Sequence, residues 1–180
     1  MENALWKSTT IICVRKGKEV AMSGDGQITL GEMIIKSNAV KIRRLYKETV
    51  LAGFAGSAAD SLALLEKFEI KLEEFSGDLL KASVSLAKDW RLDKVLRQLE
   101  AMLIVADKKI TLLISGNGNI IEPEDNIAVI GSGAGYARAA AIAFMKSNPE
   151  MSAKDIAHSS IEIASKICIY TNSQIITETL

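Results

Sequence analysis

"KSTTIICVRKGKEVAMSGDGQ", residues 7–27, contains two short hydrophobic runs on either side of a break at Gly17-Lys18. The first run, Thr10 to Val14, is rich in β-branched residues, and the second covers Glu19 to Ser23. Two such runs joined by a two-residue break indicate a β-hairpin. The Asp25-Gly26 pair that follows predicts a turn, because glycine adopts positive φ angles without steric cost.

The rest of the chain alternates short apolar strands with amphipathic helices. The further predicted strands cover residues 27–30, 40–46, 49–55, 101–106, 110–115, 120–121, 127–130 and 174–177. The predicted helices run from Ser57 to before Gly77, from Asp78 onward, from Tyr136 to Lys146, and from Ser152 to about Ile167. The order is therefore strands, two helices, strands, two helices.

This order predicts the fold class. The links between neighbouring strands have hairpin length and contain no βαβ crossover, which favours an α+β fold with mainly antiparallel sheets. The strands are apolar on both faces, so each sheet needs cover on both sides. We therefore predict a four-layer αββα sandwich, in which two sheets pack together and one helix pair lies outside each sheet.

Composition excludes several classes of partner. The 180 residues suit one domain, and Lys plus Arg and Asp plus Glu both number 22, which argues against a nucleic-acid partner. No apolar run approaches the roughly 20 residues that a membrane span needs. The first eight residues lack the apolar core of a secretory signal, and Cys13 and Cys168 form no CxxC motif. We expect no membrane contact, no disulfide and a cytoplasmic location.

Few side chains are available for familiar nucleophilic or metal chemistry. His158 is the one histidine, and it is expected to be a partly exposed helical residue without a catalytic partner. Gly131-Ser132-Gly133 resembles the start of a dinucleotide-binding fingerprint, but Tyr136 stands where a third small residue belongs. We therefore do not interpret this segment as a phosphate site. It is better explained as a tight turn or as a loop on the oxyanion side of an active site.

Thr9 and Thr10 offer a different nucleophile. A threonine at a free chain terminus carries its own base, the α-amine, which can take the proton from the hydroxyl. The ordinary pKa of a terminal amine is about 7.7 to 8, so much of it is neutral near pH 7. This chemistry needs no histidine. The alternative is that the two threonines are only the polar start of a strand.

Eight segments along the chain match one known family in register. They are TTIICVR (9–15), SGDGQITLG (23–31), KIRRLY (41–46), LAGFAGSAAD (51–60), AKDWRLDKVLRQLEAML (87–103), GNGNIIEPED (116–125), AVIGSG (128–133) and ICIYTN (167–172). In these segments the chain resembles the HslV (ClpQ) peptidase family, the bacterial relatives of proteasome β-subunits. The resemblance implies an N-terminal-nucleophile hydrolase with the αββα fold, assembled as two stacked hexameric rings.

The resemblance also implies a partner and a set of catalytic residues. The partner is HslU, a hexameric AAA+ ATPase that feeds unfolded proteins into the ring, and this chain has no P-loop, so ATP would be used only by that partner. The implied nucleophile is Thr9, and Asp25 and Lys41 match the acidic and basic neighbours. Ser132 matches a serine that helps to hold the amine, and Gly56 is our candidate for a backbone oxyanion donor.

The roles implied for Asp25 and Lys41 agree with elementary electrostatics. A lysine ammonium beside the terminal amine disfavours protonation of that amine, and a paired aspartate keeps the lysine in place and charged. Each residue also has a structural alternative. Asp25 could only form a turn, Lys41 could only end a strand in solvent, and Ser132 could only sit in a turn.

Members of the family also bind a sodium ion through backbone carbonyls near the end of the last helix. The matching positions are Ser165, Cys168 and Thr171, with Ser165 in place of the glycine often found there. Carbonyl groups at a helix C-terminus lack internal partners and carry partial negative charge, so a cation is physically reasonable at this position. No cofactor is expected for the chemistry itself.

The leader MENALWKS decides whether Thr9 can act. It begins no evident element of structure, and removal of Met1 alone would expose Glu2. We therefore predict a propeptide, residues 1–8, that Thr9 removes by attacking its own preceding carbonyl, and one peptidase domain, residues 9–180. A cut that presents Ser8 is the second choice. A noncatalytic ring subunit and an amidohydrolase for small amides remain the alternative functions.

Overall fold

The computed structural model describes residues 6–56, 58–93, 101–115 and 118–180. The strands are β1 Trp6–Ser8, β2 Thr10–Lys16, β3 Glu19–Asp25, β4 Ile28–Leu30, β5 Met33–Lys36, β6 Ile42–Leu45, β7 Val50–Gly56, β8 Ala101–Ala106, β9 Thr111–Ser115, β10 Ile120–Ile121, β11 Ile127–Gly131 and β12 Ile175–Thr179. The helices are α1 Ala58–Glu74, α2 Leu79–Leu92, α3 Ala134–Ser147 and α4 Ala153–Ser165.

Two antiparallel sheets form the centre of the fold. The four-stranded sheet has the order β11-β2-β3-β12, and the five-stranded sheet has the order β10-β9-β8-β7-β6. The predicted hairpin is β2–β3, with Lys16 opposite Glu19 and a turn in which Gly17 has φ +62°. This turn requires a left-handed residue, and glycine adopts that conformation without steric cost.

The sheets pack face to face over an apolar layer. Its fully buried members include Ile11, Met22, Leu51 and Ile104. The sheets approach each other closely at Gly53, where an added Cβ would lie 2.7 Å from the Met22 sulfur and 2.8 Å from a methyl carbon of Ile11. A larger residue at this position would push the two sheets apart.

Helices cover the outer face of each sheet. Helices α1 and α2 bury Phe68 and Trp90 against the five-stranded sheet. Helices α3 and α4 pack small and branched residues, among them Ala141 and Ile156, against the four-stranded sheet. The layer order is α, β, β, α. The predicted α+β class and the four-layer αββα sandwich are therefore confirmed.

Two of the predicted helix starts, Asp78 and Ser152, carry side-chain caps in the structure. The Asp78 carboxylate accepts a hydrogen bond from the Lys81 N–H (3.0 Å) and caps α2. The Ser152 hydroxyl accepts from the Asp155 N–H (3.0 Å) and caps α4. The predicted start of α1 at Ser57 lies outside the described residues, as do residues 94–100 and 116–117 of the family segments.

A third, small sheet, with the order β1-β4-β5, was only partly predicted. The leader was expected to begin no element of structure, but Trp6–Ser8 form β1 and pair antiparallel with β4, with Lys7 opposite Thr29. Strand β5 was not predicted, because every one of its residues is exposed and no buried face imposes an alternating pattern. Residues 1–5 of the leader lie outside the described part of the chain.

In the described part of the chain, no helix combines the length and the apolar character that a membrane crossing requires.

Candidate active site

Thr9 lies between β1 and β2, where the leader strand meets the four-stranded sheet. The residue is 2% exposed, and its backbone has φ +85°, which is uncommon for a β-branched residue. Thr9 lines a cleft of about 320 Å³ together with Lys41 and Gly56. The structure thus brings three of the predicted site residues to one cleft.

Asp25, at the end of β3, is the polar centre of this site. Its Oδ1 atom lies 3.1 Å from the Lys41 ammonium nitrogen and accepts a 2.7 Å hydrogen bond from the N–H of Thr10. Its Oδ2 atom accepts from the Gln27 N–H at 2.8 Å. One carboxylate oxygen therefore joins Lys41 to the residue that follows Thr9. The predicted contact between Asp25 and Lys41 is present.

The Lys41–Asp25 pair is almost completely removed from solvent. The side chains are 3% and 0% exposed, and Lys41 also donates to the Gln27 carbonyl oxygen at 2.5 Å. Burial lowers the pKa of Lys41 from its ordinary value, and the negative charge of Asp25 opposes that shift. A carboxylate and a carbonyl oxygen thus contact the buried Lys41 nitrogen beside the cleft, and both interactions favour its charged form.

The segment 131–133 contacts Thr9 and Thr10 through its backbone. The Ser132 N–H donates to the Thr9 carbonyl oxygen, and the Gly133 N–H donates to the Thr10 hydroxyl, both at 2.9 Å. The Ser132 side chain is exposed, and the contact that the structure shows runs through its backbone N–H. Gly131 has φ +94°, and a Cβ there would overlap the Thr9 carbonyl oxygen.

This close approach yields a prediction about Gly131. In Gly131→Ala the new methyl group collides with the Thr9 carbonyl, and the backbone conformation is strained for any residue with a Cβ. For the peptidase activity that the family resemblance implies, we expect roughly a tenfold or larger loss of kcat, because displacement of a reacting group by about 1 Å has effects of this size. Peptide hydrolysis measures the change. The control is Gly135→Ala in α3, where an added Cβ meets nothing within 4 Å; equal activity of both variants would contradict the prediction.

Gly56, the candidate oxyanion donor, ends β7 and lines the cleft beside Thr9. It has φ +128°, a conformation that glycine adopts readily. Its place in the cleft is compatible with an N–H that faces the reacting carbonyl. The donor role itself stays a prediction.

The three sodium positions lie in or next to the loop that follows α4. Helix α4 ends at Ser165, the Cys168 N–H donates to the Ala164 carbonyl (2.8 Å), and the Thr171 N–H donates to the Cys168 carbonyl (3.1 Å). The Thr171 hydroxyl lies 2.6 Å from the Thr10 hydroxyl and shares a hydrogen bond with it. The loop therefore packs directly behind the strand that carries the site.

Asn172 belongs to the same loop and was missed as a site residue. Its backbone N–H donates to the Asp25 Oδ2 atom at 3.3 Å, although the two residues are 147 positions apart. Contacts of this separation leave no local pattern in a single sequence. Its place in the segment ICIYTN beside Thr171 was the one available signal.

The other reactive side chains take no part in this site. Burial raises the pKa of the Cys13 thiol to about 12, so that thiol is unreactive near neutral pH. Cys13 and Cys168 are both free and buried. His158 is exposed, with its Nδ1 atom 3.4 Å from the Thr177 hydroxyl, as a helical histidine outside the site would be. Among the described residues, no group of His, Cys, Asp and Glu side chains could hold a metal ion.

Known proteins match this chain over nearly its whole length. A family model described as proteasome subunit matches residues 6–180. The ATP-dependent protease subunit HslV of Treponema denticola is 58% identical over 172 residues, which cover 96% of this chain and 96% of that protein. The protein of the same name from Aquifex aeolicus is also 58% identical over 172 residues, or 96% and 97% of the two chains.

A solved structure extends the agreement to three dimensions. The structure of eukaryotic HslV from Trypanosoma brucei matches with a TM-score of 0.90 and 47% identity over 95% of this chain and 98% of that chain. Sequence and structure thus agree over nearly the whole length. The chain therefore belongs to the proteasome subunit family, within it to the HslV peptidases, and is a threonine-type peptidase of the N-terminal-nucleophile hydrolase class.

Proposed function

We propose that this chain is the peptidase subunit of an ATP-dependent protease and that Thr9, once it is the first residue, is its nucleophile. One observation carries the proposal. Thr9 lines a cleft beside a buried lysine and aspartate pair, and the same aspartate oxygen accepts a hydrogen bond from the N–H of Thr10. Such a pair is suited to hold a positive charge near a terminal amine.

The proposed reaction proceeds through an ester. The Thr9 hydroxyl oxygen attacks a substrate carbonyl carbon while the α-amine of Thr9 takes the hydroxyl proton. The oxyanion that forms is stabilised by backbone N–H groups, with Gly56 as our candidate donor. The C–N bond then breaks, and the proton passes from the α-amine to the leaving amine. Water next attacks the ester, the amine again acting as base, and Thr9 is regenerated with release of the acid product.

Lys41, Asp25 and Ser132 support the amine in this mechanism. The Lys41 ammonium disfavours protonation of the α-amine and keeps it competent as a base. Asp25 holds Lys41 in place, at 3.1 Å. The Ser132 N–H fixes the Thr9 carbonyl, and the exposed Ser132 hydroxyl is proposed to bind the free amine once the leader has gone.

The leader must be removed before this chemistry can start, because an amide nitrogen cannot act as a base. We propose that the Thr9 hydroxyl attacks the Ser8 carbonyl, that the acyl group moves from nitrogen to oxygen, and that water hydrolyses the resulting ester. The φ of +85° at Thr9 costs on the order of 1–3 kcal/mol. Cleavage releases this strain because a terminal residue has no preceding peptide. A terminus at Ser8 remains the alternative.

Partners follow from the names of the relatives and from the surface of this chain. The relatives are named ATP-dependent protease subunits, and this chain has no P-loop, so we propose an AAA+ partner of the HslU type that uses ATP and delivers unfolded proteins. The proposed assembly is a double ring of hexamers. Met33, Ile34 and Ile35 of β5 are 62%, 59% and 49% exposed, and a contact with a second subunit would cover them.

We propose a sodium ion in the loop after α4. The carbonyl oxygens of Ser165, Cys168 and Thr171 are hard ligands, and one of them belongs to the last residue of a helix, where carbonyls lack internal partners. The ion would fix the loop and supply no chemistry of its own. We also propose a cytoplasmic location, in agreement with two free cysteines, without contact with membranes or nucleic acids.

The proposed function is tested by degradation of an unfolded protein. The purified chain is mixed with its hexameric AAA+ partner and ATP, and release of peptides is measured with and without each component. We expect degradation only when all three are present. Assembly without any hydrolysis would instead support a noncatalytic ring subunit, and hydrolysis of small amides but not of peptides would support the amidohydrolase alternative.

A further inference from the structure

Asn172, in the α4–β12 loop (residues 166–174), makes hydrogen bonds through both its side chain and its backbone. Its side-chain oxygen accepts from the N–H groups of Gly26 and Gln174, both at 3.1 Å. Its side-chain nitrogen donates to the Ser37 carbonyl at 2.8 Å, and its backbone N–H donates to Asp25 at 3.3 Å. One amide side chain thus joins three separate segments of the fold.

Two of these segments are also in direct contact with each other. Gly26 packs so tightly on Ser37 and Asn38 that an added Cβ would overlap the Ser37 carbonyl oxygen and lie 2.9 Å from the Asn38 Cα. The Ala39 N–H donates to the Gly26 carbonyl at 2.9 Å. The amide of Asn172 spans this contact, with its oxygen on Gly26 and its nitrogen on Ser37.

The two segments carry the ion pair of the proposed mechanism. Asp25 directly precedes Gly26, and Lys41 follows Ser37 by four positions in a stretch that lines the cleft. A change in the spacing of the segments would therefore change the distance between Lys41 and Asp25, now 3.1 Å. Asn172 itself does not line the cleft.

We propose that Asn172 is a positioning residue that holds the β3–β4 turn against the β5–β6 connection and thereby sets the geometry of the Lys41–Asp25 pair. The proposal rests on the proposed function. It assigns Asn172 a larger effect on the chemical step than on substrate binding. Displacement of reactive groups by about 1 Å lowers the reaction rate by up to roughly 10²-fold. Loss of the Asn172 side-chain hydrogen bonds should therefore have a measurable effect on kcat.

The first test compares Asn172→Ala with Ser173→Ala, a neighbouring exposed residue of the same loop. Steady-state hydrolysis of a fluorogenic peptide is measured on the assembled, processed enzyme, well below the melting temperature of each variant. We expect Asn172→Ala to lower kcat about tenfold with KM within about threefold, and Ser173→Ala to match the wild type. An unchanged kcat, or a raised KM alone, would overturn the proposal.

The second test is a double-mutant cycle with Gly26→Ala, which wedges the same two segments apart without altering Asn172. We expect the double variant to lose no more kcat than the worse single variant, because both changes act on one contact. If the fold losses of kcat of the two single variants multiply in the double variant, the proposal is overturned. If Gly26→Ala does not fold, Asn172→Asp replaces it, since an aspartate keeps the acceptor for Gly26 but cannot donate to Ser37; a wild-type kcat for Asn172→Asp would equally overturn the proposal.

Failure of this inference is distinguishable from failure of the proposed function. Thr9→Ala serves as the inactive reference in every assay. If the wild type is no more active than Thr9→Ala, the proposed function fails. If the wild type is active and Asn172→Ala equals it, only the role of Asn172 fails.

Discussion

Thr9→Ala is expected to abolish peptide hydrolysis, with kcat lower by roughly 10⁴-fold or more. The variant lacks the hydroxyl that forms the ester, and the remaining groups of the site cannot replace a lost nucleophile. In the proposed self-cleavage the same hydroxyl removes the leader, so the purified variant should keep residues 1–8. The chain should still fold and assemble, because the apolar layers that hold the sandwich together do not include Thr9.

Hydrolysis of a fluorogenic peptide, size-exclusion chromatography and intact mass together measure these effects. Thr9→Ser is the matched variant, because it keeps a hydroxyl group at the same position and should retain measurable activity. Turnover by an assembled Thr9→Ala variant would contradict the proposed nucleophile. Loss of assembly would show that the residue has a structural role.

Lys41→Met is expected to lower kcat by roughly 10²-fold or more and to shift the pH–rate profile. In the proposed mechanism the ammonium group of Lys41 would lower the pKa of the Thr9 α-amine by charge repulsion. Without it that pKa rises, and a larger fraction of the amine is protonated at neutral pH. Since only the neutral amine acts as base, the acidic limb of the kcat profile should move to higher pH.

This variant also tests the stability of the buried pair. Removal of one partner from a buried ion pair costs about 3–5 kcal/mol. We expect the free energy of unfolding of Lys41→Met to fall by this amount or less. Asp25 keeps its hydrogen bonds from three backbone N–H groups, those of Thr10, Gln27 and Asn172. Lys18→Met, at an exposed lysine in the β2–β3 turn, is the control and should match the wild type. An unchanged pH–rate profile in Lys41→Met would refute the proposed role.

Most of the fold was predictable because its signals are local. The hairpin β2–β3 follows from two apolar runs and a glycine turn, and α2 and α4 begin directly after Asp78 and Ser152, where the sequence predicted helix starts. Strands β1 and β5 were not predicted from the sequence. They belong to a small sheet whose β5 residues are all exposed, so the alternation that marks a buried strand is missing there.

The candidate site was predictable only in part. The chemistry of a terminal threonine follows from residue types, whereas Asp25, Lys41 and Ser132 came from the family resemblance. Their contacts depend on how distant strands meet, which no local pattern encodes. The Ser132 N–H donates to the Thr9 carbonyl oxygen, and the predicted role of the Ser132 hydroxyl stays a prediction. Asn172 was not predicted as a site residue, because its partners in the site lie more than a hundred positions away in the sequence.

The central claim is that Thr9 acts with a free α-amine, and the intact mass of the purified, active protein tests it most directly. The account predicts a chain that has lost MENALWKS and begins at Thr9, and a full-length chain for Thr9→Ala. An active wild-type chain that still begins at Met1 or Glu2 would contradict the mechanism, because its Thr9 nitrogen would remain an amide. An active chain that begins at Ser8 would move the nucleophile by one residue.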